Sequence, residues 1–235
     1  MCEKTSSSRP RAMISRSALA VASAAAVDAG GRVADLRRDA WGHGVLSVAH
    51  AVVAAGAEAV LVDHAEEVEA LALEGIDAVT TGAPDIDPFL LYGLPDAEGA
   101  LSARPVMRLV GRVLSTKPLR AGDAVSYGYT HRVAHDTTAA LITGGYAQGI
   151  VRALGNAAHV EIDGVQRPII GRVAMDVCVI DLQGSAAVTV GAEATYFGGR
   201  GPAAPGLARW SAVTGLTIAE LVTVAGAHAE RGWEA

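Results

Sequence analysis

Residues 159–176 read HVEIDGVQRPIIGRVAMD, and this stretch decides how the second half of the chain folds. Two apolar runs, 159–162 and 167–173, flank the dipeptide Asp163-Gly164. Asp-Gly between such runs is typical of a tight β-hairpin, because both central residues of that turn need a positive φ. The stretch therefore predicts an antiparallel hairpin within a mostly-β region.

The segments around this hairpin have the same character. Further strand-like runs are predicted at 106–114, 139–143 and 177–182. A closing pair of helices is predicted at 205–214 and 218–225. They are separated by turn residues, and Thr217 is a suitable N-cap for the last helix. We therefore expect a mostly-β domain over residues 96–235.

The first half of the chain has a different pattern, in which short apolar runs alternate with helical stretches. Strands are predicted at 12–14, 32–36, 59–62 and 78–81, with helices between them. Ser15 is expected to cap the first helix. Asp63 and Glu66 are expected to form a capping box on a later one. Alternation of this kind predicts parallel strands with helices outside them.

The fold class expected is therefore α+β, in three parts. A disordered tail at 1–11 precedes a partial, incomplete (β/α)-barrel domain at 12–95, and the β domain at 96–235 follows it. About four βα units would leave two strand edges with unpaired backbone groups. We expect those edges to close on each other or to pair with a second copy, which predicts an obligate oligomer.

Composition excludes several classes of function. The chain is 51% hydrophobic, mostly through alanine and valine, but no apolar run reaches the length of about 18 residues that a membrane span needs. The net charge is −6 and no basic stripe is present, so we expect no nucleic-acid partner. Two cysteines, Cys2 and Cys178, and a start without a signal-peptide core predict a cytoplasmic protein.

Several motifs carry a resemblance to a known family. The alanine racemase family, whose members are fold type III enzymes of pyridoxal phosphate (PLP), is similar to this chain at 125–128 (VSYG), 145–156 (GYAQGIVRALGN), 171–176 (GRVAMD), 215–218 (GLTI) and 39–44 (DAWGHG). The segment 91–94 (LYGL) resembles the stretch that leaves the family's barrel. The resemblance implies that about half of the barrel is missing before it.

The resemblance also implies a chemistry that this chain lacks. Alanine racemases hold PLP as an imine on a barrel lysine, and a tyrosine from the partner subunit serves as the second base. The matching tyrosine is Tyr146, but Arg37 stands at the lysine position. A guanidinium with a pKa above about 12 offers no neutral amine for an imine. Only Lys4 and Lys117 are lysine, so we expect no PLP cofactor.

Other positions that contact the cofactor in the family have also changed. Trp41 and Ala219 stand where the family has tyrosines that contact the phosphate, and Ile86 stands where an arginine faces the pyridine nitrogen. Ala174 replaces a cysteine, and Gln148 replaces an aspartate. The pattern indicates a scaffold that is kept around a site that is lost.

The remaining candidates have both a functional and a structural interpretation. Tyr146 is a general base or a structural tyrosine at a turn. Met175 and Asp176 contact a ligand carboxylate, as the resemblance implies, or form a turn beside the core. Arg37, Arg38 and His43 form an anion pocket at the C-terminal end of a strand, or belong to a solvated loop. Catalytic candidates are therefore Tyr146, Asp176 and His43, and ligand-binding candidates are Arg37, Trp41 and Met175.

A metal site is not expected. His131 and His135, with Asp136 beside them, are four residues apart in a predicted hairpin, where their side chains do not converge as they would on a helix. Cys178 is expected to be a buried strand residue.

Three functions stay open at this point. The first is a homodimeric, PLP-independent binding or regulatory protein, or a partner of a full-length racemase. The second is a cofactor-independent isomerase, cyclase or hydrolase that acts on a small carboxylated metabolite through Tyr146. The third is residual alanine racemase activity with PLP held without a covalent bond.

Overall fold

The computed structural model describes residues 9–126, 128–184 and 188–235. Residues 1–8 of the predicted tail, which include Cys2 and Lys4, and Tyr127 of the VSYG motif lie outside the described residues. The elements in chain order are β1 (Arg11–Ser15), α1 (Arg16–Asp28), β2 (Val33–Asp35), α2 (Arg37–Trp41), α3 (Val45–Ala54), β3 (Ala59–Leu61), α4 (Ala65–Leu73), β4 (Ala78–Val79), α5 (Pro88–Tyr92), β5 (Met107–Leu119), β6 (Ala124–Val125), β7 (His131–Arg132), β8 (Thr137–Thr143), β9 (His159–Ile162), β10 (Val165–Ile170), β11 (Val177–Asp181), β12 (Glu193–Phe197), α6 (Gly206–Thr214), α7 (Ile218–His228) and β13 (Glu230–Glu234).

The hairpin predicted at Asp163-Gly164 is confirmed. The two residues have φ values of 51° and 76°, and they join β9 to β10 in an antiparallel pair. These strands belong to a sheet with the order β12-β9-β10-β11-β8-β5-β1-β13. The long strand β5 also pairs with β12, so that six of these strands close into a ring. The second half of the chain is therefore a mostly-β domain.

Strand β1 lies in this large sheet and not in the parallel array that the sequence predicted. It pairs antiparallel with β5 and parallel with β13, which starts at Glu230. The helix that follows begins as expected, because the Ser15 hydroxyl accepts a hydrogen bond from the Ala18 backbone N–H at 3.3 Å. The local prediction was right about the element and wrong about its partner, because pairing depends on residues more than 90 positions away.

The parallel sheet is small and has the order β2-β3-β4. Both pairings are parallel, and α3 and α4 lie in the connections between the strands, as expected for βα units. The helix α4 begins one residue later than predicted. His64 is its N-cap, and the Glu67 carboxylate accepts from the His64 backbone N–H at 2.9 Å. Asp63 does not cap the helix, and its carboxylate accepts from the Arg38 backbone N–H instead.

One of the two expected open edges is covered by the chain itself. The backbone N–H groups of Asp85 and Ile86 donate to the Val33 carbonyl at 3.0 and 3.1 Å. The Asp85 carboxylate accepts from the N–H groups of Arg32 and Val33, both at 2.7 Å. The Tyr92 hydroxyl donates to the Asp35 carbonyl at 3.2 Å. The expectation of two bare edges is corrected: the segment from 85 to 92 covers β2, and β4 remains as the outer strand.

Two helices close the described chain before β13. Thr217 caps α7 as predicted, in a capping box with Glu220. No single helix among the described residues is long and apolar enough to cross a membrane. Taken together, α6 and α7 reach the length and apolar composition of a span, but a bend of 109° separates them. Both helices bury side chains in the core, among them Trp210 and Val222.

Candidate functional site

The segment between β2 and α3 turns in the left-handed sense. Four consecutive residues other than glycine have φ values between 54° and 56°: Arg38, Asp39, Ala40 and Trp41. Each such residue costs about 1–2 kcal/mol, because its Cβ crowds the following carbonyl oxygen. Backbone strain of this kind persists only where surrounding contacts enforce it, and it clusters at ligand sites and switches. The turn is therefore the first structural pointer to a site.

Two carboxylates hold the turn. Asp63 accepts from the Arg38 backbone N–H at 2.5 Å. Asp39 accepts from the Val45 backbone N–H at 2.7 Å, which caps α3, and pairs with Arg231 of β13. Arg231 also donates to the Gly42 carbonyl at 3.2 Å. The strained backbone is thus tied to β13 at the other end of the chain.

Arg37, at the start of this turn, is committed to an ion pair. Its guanidinium donates to both carboxylate oxygens of Asp35 at 2.8 and 2.7 Å. Burial would raise the pKa of Asp35, but hydrogen bonds from the Arg37 side chain and backbone outweigh it and lower that pKa below its usual value. Hydrogen bonding to Asp35 raises the pKa of the Arg37 guanidinium further. Arg37 is therefore a fixed cation.

His43 lies beneath the turn and does not reach solvent. It is fully buried, its ring stacks on Tyr92 with centroids 4.3 Å apart, and its Nδ1 lies 3.0 Å from the Ala40 carbonyl oxygen. Burial lowers the pKa of His43 to about 4. The side chain is therefore a neutral core group at neutral pH, and it cannot touch a ligand without moving.

A cavity of about 500 Å³ lies where the turn meets α7 and the loop after Tyr146. Its lining is mostly apolar and includes Arg38, Trp41, Val151, Leu216, Ala219, Glu220 and Val224. This volume lies within the usual range of small-ligand pockets. Two positions that the sequence analysis singled out, Trp41 and Ala219, thus line one cavity.

Tyr146, Met175 and Asp176 form a second group. The backbone N–H of Tyr146 donates to the Ala174 carbonyl at 2.9 Å. Gln148 links the two loops, since its side-chain amide donates to Asp176 at 2.7 Å. Tyr146 and Met175 are exposed by 43% and 55%, and the Arg152 guanidinium lies 5.7 Å from the Tyr146 ring centre. Tyr146 does not line the 500 Å³ cavity.

The candidate residues around the turn therefore differ in their access to the cavity. Trp41 lines the cavity, Arg37 pairs beside it, and His43 is buried under it. The sequence analysis missed Asp39, Asp63 and Arg231, which hold the turn, because nothing local in the sequence indicates a left-handed segment there.

The remaining sequence candidates lie elsewhere in the fold. Cys178 is buried as predicted, with its thiol 3.2 Å from the Gly144 carbonyl oxygen, and burial raises its pKa to about 12. His131, His135 and Asp136 line a separate cavity. Within the described ranges, no cluster of three or more His, Cys, Asp or Glu side chains could hold a metal.

The strain in the turn makes a testable prediction. Replacing Arg38 with glycine is expected to stabilise the protein by about 0.5–1 kcal/mol, because glycine adopts a positive φ at no steric cost and the exposed pair with Asp63 is weak. The matched control is Arg37→Gly, at the neighbouring position, which is not among the residues of positive φ. That variant should lose about 1–2 kcal/mol through the Asp35 contact and backbone entropy. Urea unfolding of both variants tests the opposite signs, and a loss in both would contradict the assignment of strain.

Comparison with known proteins agrees with this geometry. The model of the alanine racemase C-terminal domain matches residues 106–233, more than half of the chain. The alanine racemase of Mycolicibacterium vanbaalenii is 40% identical over 126 residues, which are 53% of this chain and 32% of that protein. The alanine racemase of Salinispora arenicola is 40% identical over 134 residues, which are 57% and 36%. The chain thus spans about a third of the length of these curated relatives.

Solved structures extend the likeness of the fold. The alanine racemase of Streptomyces coelicolor A3(2) superposes with a TM-score of 0.78 at 21% identity, covering 96% of this chain and 98% of that one. That of Streptomyces lavendulae, a producer of D-cycloserine, gives 0.81 at 19% identity and covers 98% of each chain.

Fold and matches together define the class. The family model covers most of the closed antiparallel domain, and a short parallel sheet precedes that domain in the chain. The chain belongs to the alanine racemase family.

Proposed function

We propose that this chain is a member of the alanine racemase family that works without PLP, as a homodimeric binding or regulatory protein or as a partner of a full-length racemase. The observation that carries the proposal is Arg37 at the position of the family's cofactor lysine. Its guanidinium is bound through two nitrogens to Asp35, and it offers no neutral amine at accessible pH.

The residues present do not fit a covalently held PLP. Lys117 is the only lysine in the described part of the chain, and it lies on β5, in register with Ala139 of β8, away from the turn and its cavity. The charged side chains of the cavity lining are one arginine, Arg38, and one glutamate, Glu220. A phosphate ester would meet one cation and one like charge there.

The surroundings of Tyr146 support a place at an interface between two copies. Tyr146 is 43% exposed, and its nearby charge is the guanidinium of Arg152. With Met175 it offers an exposed apolar surface, which suits an interface between two copies. The interpretation of residues 12–95 as a partial barrel, and of 96–235 as a separate domain, stays part of this proposal.

A cofactor-independent enzyme is the second candidate. It is favoured by the Gln148 side chain, which accepts from the Gly145 backbone N–H at 2.9 Å and donates to Asp176 at 2.7 Å, and so joins the loop that carries Tyr146 to a carboxylate. A Tyr146→Phe variant that keeps full activity on any substrate found would remove this candidate.

The main test is an absorbance titration of the purified protein with PLP. We expect no aldimine band that survives dialysis and no adduct fixed by borohydride at the turn, together with a mass in solution of twice 23.9 kDa. A retained band abolished by borohydride would overturn the proposal, and a monomer would overturn its homodimer part.

Two variants control the titration. Lys117→Arg removes the lysine of β5, so a band that disappears in this variant reports a surface reaction. Arg37→Lys restores an amine at the family's lysine position. A band gained only in Arg37→Lys would indicate that the missing amine alone prevents covalent binding in the native chain.

A further inference from the structure

A groove beside α1 gathers two arginines, Arg104 and Arg200, that have few partners. Two adjoining cavities, of about 660 and 330 Å³, share the residues Ser102, Ala103, Arg104 and Arg200 in their linings. The smaller one is floored by the apolar face of α1, at Ala18, Val21, Ala22 and Ala25. Val21 is 69% exposed there.

Arg200 has no hydrogen bond or ion pair with any residue in the described ranges, although its backbone is rigidly placed. It follows Gly198 and Gly199, which have φ values of 80° and 84°. A Cβ on Gly198 would lie 2.0 Å from the Met107 carbonyl oxygen. On the other side, Glu161 accepts from the Ala203 backbone N–H at 2.9 Å. The loop therefore fixes the backbone from which Arg200 extends into the lining of both cavities.

Arg104 is half-buried and only weakly neutralised. Its guanidinium donates to the Ser17 hydroxyl at 3.4 Å, and it lies 3.9 Å from Glu234. Glu234 is closer to Arg108, at 3.2 Å. The Nε atom of Arg104 is buried and has no acceptor. The backbone is fixed, since a Cβ on Gly93 would meet the Arg104 carbonyl oxygen at 2.2 Å.

Both arginines line the same two cavities, and guanidinium is the side chain best suited to bidentate binding of an oxyanion. We propose that this groove binds a phosphate monoester with an apolar group, the phosphate between Arg104 and Arg200 and the apolar group along α1. Arg200 brings a charge without a partner among the described residues, and Arg104 brings one that it shares with Glu234 at 3.9 Å. The hydroxyls of Ser17 and Ser102 are additional donors in the lining. The site uses no residue of the turn or of the Tyr146 loops, so it stands independently of the function proposed above.

The test is calorimetric titration of the full chain with hexyl phosphate, with inorganic phosphate as the head-group control. Hexyl phosphate should bind about tenfold or more tightly than inorganic phosphate, because part of its chain is buried on α1. Arg200→Gln should weaken hexyl phosphate binding by about tenfold. It should not make the affinity depend more steeply on salt concentration. Arg200 is exposed, so this variant should fold as the parent does, which circular dichroism checks.

Further variants and probes make the outcome decisive. Arg104→Gln should weaken binding similarly, while Arg120→Gln, on a distant turn with the same loss of charge, should bind as the parent does. Equal weakening in Arg120→Gln, or unchanged binding in Arg200→Gln, would overturn the site, and tighter binding of hexanoate would overturn the phosphate assignment. Vesicles of phosphatidylcholine with and without phosphatidic acid distinguish the source. Arg200-dependent co-sedimentation with the acidic vesicles identifies a lipid phosphate, and binding of hexyl phosphate alone identifies a soluble ester.

Discussion

Replacing Gly226 with alanine is expected to destabilise the protein by about 2–3 kcal/mol, although alanine is the better helix former by about 1 kcal/mol. Gly226 lies in α7, where the helix crosses the left-handed turn. An added Cβ would lie 2.8 Å from the Gly42 Cα, 2.9 Å from the Met107 methyl carbon and 3.0 Å from the Gly42 carbonyl oxygen. Two of these are backbone atoms, which cannot rotate away, so α7 would have to separate from the turn.

The same contact can be tested from its other side and against a control. Gly42→Ala should cost more, about 3–5 kcal/mol, because its Cβ would meet the Gly226 Cα at 2.7 Å and its φ is 80°. Ala227→Gly, at the next and exposed helical position, should cost about 1 kcal/mol through helix propensity alone. Urea unfolding followed by circular dichroism measures all three. A neutral or stabilising Gly226→Ala would mean that the two backbones do not touch.

This contact also joins the two halves of the chain. The turn belongs to the segment before α3, and α7 belongs to the closing part of the β domain. Arg231 of β13 reinforces the junction through Asp39 and the Gly42 carbonyl. Loss of the contact should therefore lower the unfolding midpoint of the entire chain, because neither half keeps its partner surface.

The sequence predicted those parts of the fold that depend on short-range chemistry. Asp163-Gly164 specifies a hairpin, Ser15 and Thr217 specify helix starts, and the period of the apolar residues separates the two halves. The partner of β1 could not be predicted in this way, because an apolar strand of five residues fits either a parallel or an antiparallel neighbour. The covering of β2 by residues 85–92 depends on one aspartate in a loop, which has no periodic signal.

The candidate site was predictable to a similar extent. The resemblance marked Arg37, Trp41 and Ala219, and Trp41 and Ala219 do line one cavity. The left-handed turn could not be predicted, because Arg38 to Trp41 contain no glycine and local preference opposes that conformation. It is imposed by Asp63 and by Arg231, which is 192 positions from Asp39. Strain that is enforced from such a distance is invisible to local pattern.

The buried histidine under the turn makes the last prediction, which concerns pH. The pKa of His43 is about 4 in the folded chain, chiefly through burial, against 6.5 for an ordinary histidine. Between these two pH values, His43 is protonated in the unfolded chain and neutral in the folded chain. The free energy of unfolding is therefore not reduced by His43 above about pH 6.5. As the pH falls from there to about 4, protonation of His43 in the unfolded chain lowers the free energy of unfolding by about 3 kcal/mol.

Substitution isolates this contribution from that of the carboxylates. In His43→Asn the amide nitrogen can replace Nδ1 as donor to the Ala40 carbonyl, and no group titrates there. The variant loses the stack on Tyr92, so it should be less stable at pH 7.5 but should lose less stability between pH 6.5 and 5. The window ends at pH 5 because ordinary carboxylates begin to protonate below it. His50→Asn, on the exposed face of α3, controls for the removal of a histidine elsewhere. Urea unfolding at each pH gives the slopes, and parallel slopes for the parent and His43→Asn would show that the ring is not held neutral by the fold.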